Sequence, residues 1–98
     1  MPQRPPSRTT SQDAFRPHIL RTLQEHGGRL AAEELMVALA EGMDGVLLER
    51  DRQTSPTGEL RWQTAARKER KAMIDQGLVV GAQPGVWELT AQGRAALP

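Results

Sequence analysis

The apolar pattern of this chain changes period once, just after Gly77, and that change constrains the fold more than any other feature. Before it, apolar residues recur at helical spacing in three segments. Ile19, Leu20 and Leu23 mark the first, Leu35, Met36 and Leu39 the second, and Trp62, Ala66 and Met73 the third. Beyond it the chain reads Leu78-Val79-Val80, then Gly81, Pro84 and Gly85, then Val86-Trp87-Glu88-Leu89. Short β-branched and aromatic runs split by turn formers predict a hairpin with a four- or five-residue loop.

Punctuation residues place the element ends. Asp13 is the expected N-cap of a first helix over about residues 14–26, with Pro17 tolerated in its first turn and Gly27-Gly28 ending it. "AAEELMVALAEG" gives a second helix, with Glu33 and Glu34 where the helix dipole favours acids and Gly42 at its close. "VLLERDR" adds a short helical turn and "QTSPTG" reads as a loop. A third helix is expected from about residue 59 to 76, with Gly77 in the C-cap position and Ile74 packing under the hairpin. "TAQGRAAL" closes the chain as a short helix with Thr90 as N-cap. The expected fold class is therefore mainly α with a small β-hairpin: a winged helix-turn-helix of three helices, a two-stranded wing and a short C-terminal helix. Residues 1–12, rich in Pro, Ser, Thr and Arg, read as a disordered basic tail, and 13–98 as the winged-helix domain.

Composition narrows the chemistry. Ninety-eight residues make one small domain, the three aromatics, Phe15, Trp62 and Trp87, fit a compact, mainly helical fold, and the two Trp residues read as core anchors. With no cysteine there is no disulfide, Cys-based zinc site or thiol nucleophile. His18 and His26 are too few for a metal cage and read as helix-surface or cap residues. No apolar run approaches the roughly 18 residues that span a bilayer. "MPQRPPSRTTSQ" lacks the apolar core of a signal peptide, so a cytoplasmic, nucleoid-associated location is expected. No nucleotide loop or nucleophile motif appears, and neither an enzymatic activity nor a cofactor nor a small-molecule substrate is expected. Asp51 with Glu69 and Lys71 formally resembles the acid-x-Lys pattern of metal-dependent nucleases. Residues two apart on a helix point in different directions, however, and so could not converge on a metal.

Charge is distributed unevenly behind a net +1. Residues 31–51 carry six acids against Arg50 alone, while the segments on either side each carry a net +3. One basic and one acidic face are expected. The densest basic run is "ARKERKAM", residues 66–73, in the third helix. At about 100° per residue, Trp62, Ala66 and Met73 point to the core. Arg61, Thr64, Arg67, Lys68 and Lys71 cover the opposite arc, and Arg70 lies on a flank. Glu69 falls beside the apolar stripe, so either it pairs with an arginine or the helix is rotated from this reading.

The segments "LRTLQEHGGRLAAEELMVALAEGM", "LLERDRQTSPTGE" and "DQGLVVGAQPGVWELTAQGRAAL" together resemble the N-terminal winged-helix domain of Mrr-type restriction endonucleases over about residues 19–97. The resemblance rests on Gly77-Leu78, on Gly85-Val86-Trp87 with Leu89-Thr90 and Gly93, and on Asp51-Arg52 with Pro56-Thr57-Gly58. It implies a DNA-binding domain, which in that family is joined to a separate nuclease domain. Trp62 matches an aromatic of the family, but Ala65 and Lys68 stand where an Arg and a Trp are usual. The fold thus carries over better than any binding specificity.

These readings converge on double-stranded DNA as partner, with the third helix in the major groove. Arg61, Gln63, Thr64, Arg67 and Lys68 would face base edges, and Arg70 and Lys71 phosphates, while Gln83 would act from a wing that lacks cations. The role would be that of a transcriptional regulator or of a targeting module in a defence or repair system. A core this small gains from self-association, so a homodimer belongs to the same expectation. The alternative is a protein-interaction adaptor that docks a basic partner on the acidic second helix, with no DNA binding.

Overall fold

Two glycine-ended turns divide the chain. After α1 (Phe15–Glu25) the chain reverses through Gly27 and Gly28, at φ +78° and +92°. Gly28 N donates to Leu23 O at 2.7 Å and Gly27 N to Gln24 O at 3.4 Å. After α3 (Arg61–Asp75) the same arrangement recurs, with Leu78 N on Met73 O at 2.8 Å and Gly77 N on Ile74 O at 3.0 Å. Gly77 has φ +78°. Both turns satisfy the orphan carbonyls of the preceding helix in a geometry that a Cβ would strain. The structure, a computed structural model, describes residues 8–98.

Besides two short 3-10 turns, the remaining elements among the described residues are β1 (Arg29–Ala31), α2 (Ala32–Gly42), β2 (Val86–Glu88) and α4 (Ala91–Ala95). The chain is mainly helical with a two-stranded antiparallel sheet. That sheet differs from the expected one. β2 pairs with β1, in the register Arg29↔Glu88, Leu30↔Trp87 and Ala31↔Val86. The segment 78–80 adds a single bridge, Val79↔Leu89, with Val80 N on Glu88 O at 2.8 Å and Thr90 N on Leu78 O at 3.0 Å. The predicted hairpin partners therefore meet, but the longer ladder is made with three residues that follow Gly28. A three-residue strand is too short to show a period of two, so nothing in "RLA" announces it.

The helices fall close to their expected bounds, and the turn in "VLLERDR" is a 3-10 turn at Arg50–Arg52. Asp13 is not the cap of α1. It lies within a 3-10 turn, Gln12–Ala14, that continues into the helix, and Ala14 holds the cap position without a side-chain bond. Thr90 does cap α4: its Oγ1 accepts from Gly93 N at 3.0 Å and donates to Gly77 O.

Phe15, Ile19, Leu23, Leu35, Leu39, Met43, Met73, Trp87 and Leu89 form the centre of one core, in which α1 packs against both α2 and α3. Each such side chain stabilises the fold by about 1.5–3 kcal/mol through burial. Trp62 and Trp87 belong to this core, as expected of large aromatics in so small a domain. Residues 1–7 of the expected tail lie outside the described residues. The rest of that tail is engaged. Thr10 donates through N and Oγ1 to the buried Asp51, at 2.9 and 2.6 Å. Gln12 Nε2 donates to Glu69 Oε1 at 3.0 Å. Buried carboxylates require donors, and these two draw the segment before residue 13 onto the domain.

Candidate nucleic-acid interface

The loop before α3 fixes where the helix begins. Gly58, at φ +90°, closes a tight turn in which Gly58 N donates to Ser55 O and Ser55 N to Glu59 O. Thr54 bridges Leu60, and Arg61 N donates to Gln53 O at 2.9 Å. The helix therefore starts at Arg61, two residues later than the sequence suggests, because residues 59 and 60 complete this turn.

Glu69 is the residue the helical wheel left ambiguous. It is buried, 1% exposed, and its carboxylate receives Arg16 Nε at 2.6 Å as well as Gln12. Arg16 Nη1 continues to Gln76 Oε1 at 2.6 Å. The wheel was thus correctly oriented: Trp62, Ala66, Glu69 and Met73 are the buried stripe of α3. An arginine from α1 neutralises the acid, which makes its burial tolerable.

Five other polar side chains of α3 divide into three groups. Lys68 and Lys71 are exposed and have no carboxylate within ion-pair distance among the described residues. Thr64 and Arg67 point outward but are held by Glu59, with Thr64 Oγ1 on Oε1 and Arg67 Nε on Oε2, each at 2.9 Å. Burial pushes the Glu59 carboxyl up, but the bonds from Thr64 and Arg67 and the charge of Arg67 outweigh it and hold the carboxyl below its ordinary value. Arg70, half-buried, turns back to the sheet. Its guanidinium carbon lies 5.4 Å from the Trp87 ring centroid and its Nη2 reaches Val86 O at 3.4 Å. Burial, with the nearby charge of Arg67, makes its protonated form less favourable than usual. The cation–π contact offsets part of that cost.

Gln63 is half-buried, as is Gln83 in the turn before β2, where Gln83 Oε1 has no hydrogen-bond partner among the described residues. Arg61 is also half-buried, and its Nε is enclosed without an acceptor among the described residues. It borders a polar cleft of about 300 Å³ between residues 9–12 and the first two turns of α3, which Lys68 and Thr64 also line. Of the eight predicted contact residues, the structure therefore presents Lys68 and Lys71 on the surface, unpaired among the described residues, exposed Arg67 and half-buried Thr64 held by Glu59, and Gln63 and Gln83 half-buried. Arg61 borders the cleft, and Arg70 packs against Trp87.

Sequence reasoning missed Glu59 as an organiser of Thr64 and Arg67. The signal was available: Glu59, Thr64 and Arg67 lie near one another in sequence at the start of a basic helix. It also missed the Asp51 tether, which joins positions 41 residues apart and leaves no local pattern. Comparison with protein-family models, with curated proteins and with solved structures found no match to the chain.

Proposed function

We propose that the chain binds double-stranded DNA as a winged-helix protein, with α3 in the major groove. The carrying observation is the outward arc of α3. Lys68 and Lys71 stand there without carboxylate partners among the described residues and Arg67 beside them, while Glu59 and Glu69 are occupied by arginines. Asp75, one turn beyond Lys71, is the exposed acid of that helix. The order helix, strand, helix, helix, strand supports the winged-helix assembly, with residues 81–85 as the wing tip. Unpaired cations on a helix of this kind suit phosphates and guanine edges. The biological role that fits is a transcriptional regulator or the targeting module of a defence or repair system.

Fluorescence anisotropy on a mixed-sequence duplex tests this. Affinity is expected to fall steeply between 50 and 200 mM salt, because counterions are released on binding. Arg67→Glu with Lys71→Glu should abolish binding at 200 mM salt, and unchanged affinity in that double variant would sink the reading.

One observation favours a second reading. Val37 is 62% exposed on α2 between Glu33 and Glu41, one turn away on either side, all on an outward face. An acidic helix face with an apolar centre suits a basic protein partner. Absence of duplex binding at 50 mM salt would favour that adaptor role.

A further inference from the structure

The polar cleft beside α3 holds two features that the duplex reading alone does not explain. The first is Arg61. Its Nε–H is enclosed, yet finds no acceptor among the described residues. A guanidinium carries five donors and no acceptor, so an enclosed, unpaired N–H calls for an incoming oxygen. The second is the segment of residues 9–12, which lines the same cleft. Residues 9–12 do not trail into solvent at this point. Thr10 pins them to Asp51, whose two oxygens accept from Thr10 N, Thr10 Oγ1 and Leu48 N. Asp51 borders the cleft, but its oxygens are already turned to those donors.

Arg61, Lys68, Ser55 and Thr64 line about 300 Å³ of cleft, and because the Thr64 hydroxyl already donates to Glu59 and that of Ser55 bonds Thr57, the donors left for a ligand are those of Arg61 and Lys68. That volume equals about ten waters, more than a lone oxyanion needs and suited to a phosphate with its sugar. A planar, multiply donating guanidinium beside an ammonium fits the tetrahedral oxygens of a phosphate. We propose that this cleft seats one phosphate group, and that in the bound complex the group is a backbone phosphate of the duplex. The proposal rests on the duplex reading for the source of the phosphate. It reassigns Arg61 from base edge to backbone and makes residues 9–12, pinned by Asp51, a wall of the binding site.

The experiment follows the Arg61 Nε–H resonance in ¹H–¹⁵N spectra of the full chain. Inorganic phosphate is titrated against chloride at matched ionic strength, followed by a mixed-sequence duplex. The proposal expects a saturable shift of Arg61 with both, and none with chloride. Duplex affinity is then measured from 50 to 200 mM salt for the wild type and Arg61→Met on two unrelated sequences. Loss of one phosphate contact should reduce the salt-induced loss of affinity by about 3.5-fold, equally on both sequences. A loss confined to one sequence would return Arg61 to base reading and overturn the seat. So would duplex binding that leaves the Arg61 resonance unmoved, a measurement that stands even if Arg61→Met does not fold. Phosphate that moves Arg61 without any duplex binding at 50 mM salt would overturn the duplex as the source and leave a site for a free phosphate monoester. No response to either probe would overturn both.

Discussion

Glu69 shows how one side chain can be placed correctly by periodicity and still be incomprehensible locally. Its angle on the helix put it at the core, where a carboxylate needs a partner. The partner is Arg16, 53 residues earlier in the chain, which no spacing rule could nominate. Glu69→Ala should cost about 2 kcal/mol. That is less than the 3–5 kcal/mol of a fully buried pair, because Arg16 is 27% exposed and can regain water. Glu69→Met should cost less than Glu69→Ala, since it refills the space, and urea midpoints of the two variants measure the order. His18 gives a pH prediction. Burial first, and then the charge of Arg21, hold its pKa below the ordinary value. Between that lowered pKa and the unfolded one, the unfolded chain binds more protons. Stability should therefore fall as the pH drops through the ordinary histidine range. His18→Gln should flatten the denaturation midpoint between pH 7 and 5.5, and an equally steep profile in that variant would show that His18 is not its source.

At the scale of elements, the helices were legible because each carries its own period and its own stop. Gly27-Gly28 and Gly77 act locally, and a local rule finds them. The strands were half legible. "VWE" reads as a strand alone, but its partner is chosen by tertiary packing, and β1 is too short to advertise itself. Element α4 depends on two residues for different reasons. Thr90 caps it and also bonds Gly77 O, so Thr90→Ala should cost about 1 kcal/mol or somewhat more. Gly93 lies against the backbone of Leu78, and a Cβ there would collide with the Leu78 carbonyl oxygen. Backbone cannot swing aside as a side chain can, so Gly93→Ala should cost about 2 kcal/mol or more. Thermal melts of the two variants should rank Gly93→Ala as the more damaging. The reverse order would place the cap above the close approach. The candidate interface was legible to a similar degree: the outward arc of α3 came from the wheel, but the sequestering of Arg70 by Trp87 required the sheet to be in place.

For the whole molecule, the sheet matters beyond its length. It joins Arg29–Ala31 to Val86–Glu88 and brings Trp87, 2% exposed, against Leu30. The core accordingly includes residues from both sides of the acidic middle segment. A fragment ending at residue 84 should retain helical circular dichroism but lose a cooperative thermal transition, because β2, Trp87 and Leu89 leave the core together. A cooperative melt in that fragment would show that the helices suffice.

The same pairing has a consequence for biosynthesis. A growing polypeptide has made all three long helices before Trp87 exists, and until then Leu30 and the sheet-facing side of α3 stay uncovered. Closing the sheet then joins strands from opposite ends of the domain, and the loop-closure cost of so non-local a pairing makes it a slow step of folding.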